Sequence, residues 1–571
     1  MKDEFSFLYP PPRTLRRGAA SLDIRSVCYP LEIFKKFAFL FEYFGVGNRS
    51  RGLQVVFQEP SRVSPAKEPG AGGEAYAIDC GPDRVVLSAA SPRGQFYALS
   101  TLLQVLAFHA GAGCMPAFAL RDAPAVSFRG ACLSGEPGTL ADPAVLRRAF
   151  LKLALLKFNH LALPAALAPN AGSPASGPLT LAALAQKTGM EILFLDPDPG
   201  ALARLAPSGG RSGDLPAGPL CFPEAAAGEK AGTAAWFEFF LGHCRSAKAD
   251  GSGTAAWGDF FLSHPEWIRR IPRDVLVLNR GQGLERGDFF KSAAQPFREH
   301  HIRQVLCPAL CGRGRFIPDA RAALARVSAA LAAVEAGKLA GVLLAADESA
   351  GNGCLPQGAA MVRFQAGCQL WSGRPPGPAA FSRWALGRDE PDLFRVFSFL
   401  AQAEQRLPHA HDRYFFEDPL LAPFSRQGDP REIEAHFRKA ALYLKKRDVA
   451  ADELTGFFVF TARLYEAIAA KVQLSSRLAM LLETASGGET IRLQAGWLQR
   501  AVVELQGLYA GLRGAPLPPG SFRDFDILAE RFALLGRAAV APGARDALLS
   551  ALKNHVPLNA AGVFPGDPYR P

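Results

Sequence analysis

General acid–base chemistry needs a carboxylate held where a loop or strand end can present it, and Glu224 in "GPLCFPEAAAGEK" (residues 218–230) stands in such a place. It follows a Gly/Ser/Pro-rich stretch and precedes an apolar, aromatic helix, the kind of position where a barrel enzyme keeps an acid. Asp347 and Glu348 in "LLAADESAGNG" form an adjacent acidic pair close to another predicted strand end, where a surface loop is the plainer reading. Metal chemistry has little to build on. Cys307 and Cys311 are the closest cysteines, and neither has His or Cys neighbours at zinc-site spacing, so no metal or other cofactor is expected.

The remaining composition narrows the function classes. The net charge of +11 comes from 64 Lys plus Arg against 53 Asp plus Glu, but the basic residues are scattered as short pairs such as Arg147-Arg148 and Arg269-Arg270. A nucleic-acid partner is not expected from such dispersion. Ten cysteines spread evenly through the chain fit free thiols in a reducing compartment better than a disulfide framework. The N-terminus has no apolar core of a secretory signal, and the apolar stretch 322–346 is interrupted by Arg326, Glu335 and Lys338. A cytoplasmic protein without a membrane partner is the expectation; nothing in the sequence sets its oligomeric state.

The elements that must position these residues follow from length and periodicity. At 571 residues, 49% of them hydrophobic, the chain has material for about three domains. Residues 1–124 read as an α+β unit: "EAYAIDCG" and "VVLSAA" alternate as strands around the turn Gly81-Pro82-Asp83-Arg84, and Ser91-Pro92 open a covering helix. From 125 to 380, short apolar strands alternate with helices over about 250 residues, which implies an α/β fold and suits a closed (β/α)8 TIM barrel. An open doubly wound sheet is the alternative, without a GxGxxG after a strand to support it. Residues 165–180 and 199–218 read as long loops. Residues 381–571 read as a helical domain packed on the barrel, since "LTGFFVFTARLYEAIAAKVQLSSRLAMLL" and "IRLQAGWLQRAVVELQGLYAGL" carry apolar residues at three- and four-residue intervals.

"RDAPAVSFRGACL" resembles the first barrel strand of family 20 glycoside hydrolases, the β-N-acetylhexosaminidases, and "VVLSAASPRGQFYALSTLLQVL" resembles the end of their small N-terminal domain. "TAAWGDFFLSHPEWIRRIPRDVLVL", "AGVLLAAD…FQAGCQLW" and "FFEDPLLAPF" are similar to segments of the bacterial branch that carries a helical C-terminal domain. The resemblance implies removal of terminal N-acetylhexosamine, with an N-acetylhexosamine-containing glycan or small saccharide as partner. The chemistry it implies is substrate-assisted: an adjacent Asp-Glu pair on the fourth barrel strand protonates the leaving oxygen and orients the substrate's own acetamido group.

Carried over residue by residue, the resemblance makes Arg129 the arginine that binds sugar hydroxyls, its planar fork suited to two adjacent oxygens. It makes Trp257, Asp259 and Trp371 substrate-binding residues of the pocket. Other positions depart from the pattern. Ser134 replaces an Asp, Pro164, Ala165 and Ala166 replace a polar segment, Gly200 is followed by Ala201 in place of His, and Arg280 replaces a Trp. Measured back from "AAWFEFFLGHC", "LCFPEAAAGEK" aligns with the catalytic strand, so that Phe222 and Pro223 stand where Asp and Glu belong. Glu224 is one residue late, and a one-residue slip on a strand turns a side chain to the other face. The sequence therefore supports three readings: a glycosidase with displaced carboxylates and Glu224 as acid, a non-catalytic carbohydrate-binding relative, or a partner-binding scaffold.

Overall fold

The structure, a computed structural model, describes residues 5–58, 73–133, 142–164, 176–195, 202–205, 231–249, 253–280, 289–310, 318–345, 356–389, 454–484, 487–513 and 523–543, with isolated positions between 393 and 550. Glu224, Asp347 and Glu348 lie outside the described residues. The chain divides into two compact units, one made of residues 1–310, 320–349 and 361–394, the other of 311–319, 350–360 and 395–571.

The first unit begins with a six-stranded sheet in the order β1-β6-β4-β5-β3-β2, from β1 (Thr14–Asp23), β2 (Val27–Cys28), β3 (Leu53–Gln58), β4 (Tyr76–Cys80), β5 (Arg84–Ala89) and β6 (Cys114–Asp122). The β4–β5 hairpin forms around the expected turn, closed by the Gly81 amide donating to the Arg84 carbonyl at 2.9 Å. The helix Pro92–His109 starts where Ser91 predicts: its hydroxyl accepts the Gly94 amide at 3.1 Å, and Pro92 occupies a position that needs no donor. Its Phe96, Leu99, Leu102 and Leu103 are buried.

Eight further strands close a barrel: β7 (Phe128–Cys132), β8 (His160–Pro164), β9 (Glu191–Leu195), β10 (Leu202–Leu205), β11 (Gly253–Trp257), β12 (Leu276–Arg280), β13 (Arg303–Cys307) and β14 (Gly341–Leu344). Alternation along the seven strands other than β10 sends Phe128, Ala162, Leu193, Ala255, Trp257, Leu276, Leu278, Val305, Cys307 and Leu343 into one interior cluster. The fit is tight. A Cβ on Gly341 would run into the carbonyl oxygen of Phe128, so strand eight can approach strand one only with glycine there.

The barrel departs from the expected all-parallel form at strand four. β10 runs antiparallel to both neighbours, with Arg204 opposite Phe194 on β9 and Ala203 opposite Ala255 on β11, while the other seven strands are mutually parallel. The cause is chain length. Six residues separate Leu195 from Leu202, enough for a hairpin return but not for a parallel crossover, which takes a dozen residues or more. Part of the stretch expected as a loop at 199–218 is therefore a strand, and the strand-four slot assigned to "LCFPEAAAGEK" is held by Leu202–Leu205.

The second unit contains the helices Thr455–Thr484, Gly488–Arg513 and Arg523–Ala538, the middle one touching both others. Ile491, Ala495, Leu498, Val502, Leu505 and Tyr509 repeat at alternating spacings of four and three and are all buried, the seam that antiparallel neighbours pack against. Among the described residues no helix is long and apolar enough to cross a membrane.

Candidate functional site

Because seven strands are parallel, their last residues meet at one end of the barrel, the face on which barrel enzymes carry their chemistry. Cys132, Pro164, Trp257, Arg280 and Cys307 end their strands there. Antiparallel β10 brings its first residue, Leu202, to this face, opposite Ala256. Its four residues, Leu-Ala-Arg-Leu, include no acid, and the residues on either side of them lie outside the described residues.

What this face does hold is a three-residue cluster from consecutive elements. Trp257 ends β11 inside the barrel, only 7% exposed. Gly258 begins a one-turn helix, Gly258–Ser263, whose first turn carries Asp259. Arg280 shares the inward parity of Leu276 and Leu278, two residues past the Leu278 that pairs with Trp257 across the strands. Its guanidinium carbon lies 3.7 Å from the centre of the Trp257 ring, and its Nε lies 3.6 Å from Oδ2 of Asp259. That distance is an ion pair without a hydrogen bond. Burial raises the Asp259 carboxyl above its ordinary value, and Arg280 offsets this only in part. Burial also pushes the Cys307 thiol well up, so it is no thiolate nucleophile at neutral pH. Partial burial thus disfavours the charged form of this carboxyl while the neighbouring guanidinium favours it.

Arg129 and Trp371 are placed elsewhere. Phe128 points into the barrel, so Arg129, the next residue, points out, and it sits near the start of β7 rather than its end. Its side chain is 1% exposed and its Nη1 pairs with Oε2 of Glu74 at 2.8 Å. Its Nε donates to the Lys157 carbonyl at 2.9 Å, and Nη1 donates to the Val126 and Ser127 carbonyls at 2.6 and 3.1 Å. Trp371 is fully buried; its Nε1 donates to Oδ2 of Asp122 at 2.8 Å, and the Arg129 guanidinium stacks over it at 4.9 Å. The same Asp122 oxygen accepts from Lys157 Nζ at 2.9 Å and from the Tyr76 hydroxyl at 2.8 Å. Glu74 also accepts from Arg93 at 3.0 Å and from Asn159 at 3.1 Å. These groups join the N-terminal sheet to the floor of the barrel, where structure rather than chemistry is expected.

The structure thus brings Trp257 and Asp259 together and separates them from Arg129 and Trp371. Arg280, which sequence comparison marks only as a replaced Trp, is the third member of the cluster. The Leu276-Leu278-Arg280 alternation is the signal that places it in the mouth.

Comparison with known proteins agrees with the N-terminal part of this architecture. Residues 7–123 match the family model for glycosyl hydrolase family 20, domain 2. That span is the six-stranded sheet with its helix, and it ends one residue beyond Asp122, at the start of the barrel. The resemblance to family 20 glycoside hydrolases stands on it. Among solved structures, a β-N-acetylhexosaminidase from Bacteroides fragilis NCTC 9343 is similar at 14% identity and TM-score 0.44, over 70% of this chain and 96% of that one. The structure titled CpGH84D is similar at 10% identity and TM-score 0.45, over 93% of this chain and 99% of that one. CpGH84B gives 10% identity and TM-score 0.43 over 92% and 99%. No curated protein matches the sequence significantly.

Proposed function

We propose that this chain is a saccharide-binding relative of family 20 glycoside hydrolases that uses the C-terminal face of its barrel without the family's substrate-assisted hydrolysis. One observation carries the reading. The strand-four position, where that chemistry takes its adjacent Asp-Glu pair, is occupied by an antiparallel strand with no acid. Losing a general acid removes about 10²- to 10⁴-fold in rate before the orienting Asp is counted. The ligand class is a saccharide, with N-acetylhexosamine glycans the first to try. Among the described residues the free thiols of Cys28, Cys80, Cys114, Cys244, Cys307 and Cys368 support a reducing, cytoplasmic setting.

A second reading has its own support. Asp259, with its carboxyl raised by burial at the barrel mouth, has the character of a general acid, and a glycosidase built on it would need a partner carboxylate from outside the described residues. Glu224 is then the candidate.

Incubation of the purified chain with aryl N-acetyl-β-glucosaminide and N-acetyl-β-galactosaminide decides between them. The binding reading expects no turnover above the buffer blank, together with thermal stabilisation by a saccharide that Trp257→Ala abolishes. Turnover that is lost in Glu224→Gln or Asp259→Asn would establish the glycosidase instead.

A further inference from the structure

We propose that the outer face of the helix Gly488–Arg513 is a homodimer interface, on which a second copy of this chain lays the same helix antiparallel. The inference concerns the second unit alone and is independent of the saccharide reading.

This helix carries two seams. The buried one, Ile491 to Tyr509, packs against the helices Thr455–Thr484 and Arg523–Ala538. On the opposite side Leu493, Trp497, Arg500, Glu504, Gly507 and Gly511 repeat at the same alternating spacings of four and three, and all six are exposed. Such spacing keeps a seam facing a second helix along its length, at a shallow crossing angle of about 20°. Leu493 is 60% exposed, Trp497 39%, and Val503 on the flank 55%. Arg500 makes no ion pair among the described residues. Glu504 meets Arg463 at 3.0 Å, but half of its side chain is exposed, and its carboxylate has lone pairs for a second donor.

The order of residues along the outer seam commits it to a copy of itself. When two such helices pack antiparallel about a two-fold axis level with Val502, residues equally far on either side of Val502 meet across the axis. Leu493 then faces Gly511, Trp497 faces Gly507, and Arg500 faces Glu504. Each large apolar side chain meets a glycine and each guanidinium a carboxylate, and the two-fold repeats every match. A parallel copy would instead set Trp497 on Trp497 and Arg500 on Arg500. The glycines have no cause within the described residues: a Cβ at Gly507 or Gly511 would meet nothing within 4 Å, and neither residue has left-handed backbone. Glycine is the poorest helix former after proline, so two of them on an exposed helix face weaken it without local return. A facing indole and leucine from a second copy supply the reason. The seam from Leu493 to Gly511 is about 27 Å long at the helical rise, which makes a small interface with a Kd on the order of micromolar.

The test is sedimentation of the full chain over a concentration series up to about 100 μM. A monomer–dimer equilibrium is expected. Gly507→Leu fills the space that Trp497 of the second copy needs, so it should weaken the dimer about tenfold or more, while the thermal midpoint of the dilute monomer stays the same or rises because leucine favours the helix. Arg500→Glu and Glu504→Lys each bring like charges together and should each be monomeric alone. Mixed in equal amounts, the two variants pair opposite charges at both sites, and the dimer should return; its return also shows that both chains are folded. A chain that stays monomeric throughout the series would overturn the inference. A dimer indifferent to Gly507→Leu and to both charge variants would overturn it too, by placing the contact on another surface, and so would a mixture of the charge variants that stays monomeric.

Discussion

The two ends of the barrel treat charge in opposite ways. At the floor, Lys157 and Asp122 are fully buried and meet at 2.9 Å, and Glu74 takes three donors within 3.1 Å. At the mouth, Asp259 and Arg280 come no closer than 3.6 Å, and Asp259 retains a third of its exposure. The difference follows from what each end must do. Floor charges are matched on all sides by protein, which fixes the N-terminal sheet on strands one and two. The Asp259–Arg280 pair at the mouth is longer, and its carboxylate is partly open to solvent. Arg129 and Trp371 belong to the first pattern, Trp257, Asp259 and Arg280 to the second.

This contrast can be broken most forcefully at the floor. Asp122→Ala strands the Lys157 ammonium in a dry site, and removing one partner of a buried pair costs about 3–5 kcal/mol. Chemical denaturation should show this loss or outright failure to fold; a loss below about 1 kcal/mol would mean that the floor network is not what holds the sheet on the barrel. Arg129→Lys comes next. It keeps the charge but gives up the fork shared among Glu74 and three carbonyls, with an expected cost of about 1–3 kcal/mol for the acceptors left unmatched. A variant as stable as the wild type but unable to bind saccharide would return Arg129 to a ligand role.

A pH series sharpens the same comparison by sign. Burial disfavours the Glu74 carboxylate, but Arg129 and Arg93 outweigh it and hold its pKa below the usual value. Its contribution is therefore present above the unfolded carboxylate range, near pH 4–5, and lost as the pH falls through the depressed value. Asp259 is shifted the other way, so its contribution is present below the unfolded value and lost as the pH rises through the raised one. Denaturation midpoints taken from pH 3 to 7 should show Glu74→Gln flattening the acid limb, while Asp259→Asn is neutral or stabilising at pH 7. The same sign for both variants would contradict the contrast between floor and mouth. The smallest effect is expected for Arg280→Gln, which gives up a 3.6 Å ion pair and the stacking on Trp257, about 1–2 kcal/mol by chemical denaturation.

Much of this architecture is legible locally. The Gly81–Arg84 turn, the Ser91 cap and the Asp142 cap, whose Oδ1 accepts the Ala144 amide at 2.8 Å, are all written within four residues of where they act. The barrel strands show as apolar runs between helices. The direction of Arg129 is also contained in "SFRGAC", since an inward Phe128 sends its neighbour outward. Strand four is less accessible to reading. Counting back from the helix Ala231–Ala249 presumes that a crossover leads into it, whereas the short link after Leu195 selects a hairpin before any such crossover. The floor network was hidden for another reason. Its members lie far apart in the sequence, Asp122 meeting Trp371 across 249 positions, and no spacing rule connects them.

Which segment fills strand four decides what the barrel mouth can carry. In the observed register Ala203 and Ala255 are Cα partners on antiparallel neighbours, about 4.5–5.5 Å apart and within the reach of a disulfide. Oxidation of Ala203→Cys/Ala255→Cys, with the link located by peptide mapping, tests this directly. A 203–255 cross-link is expected in folded protein. Its absence, with a cross-link formed instead in Phe222→Cys/Ala255→Cys, would put the segment carrying Glu224 into the barrel and contradict the assignment.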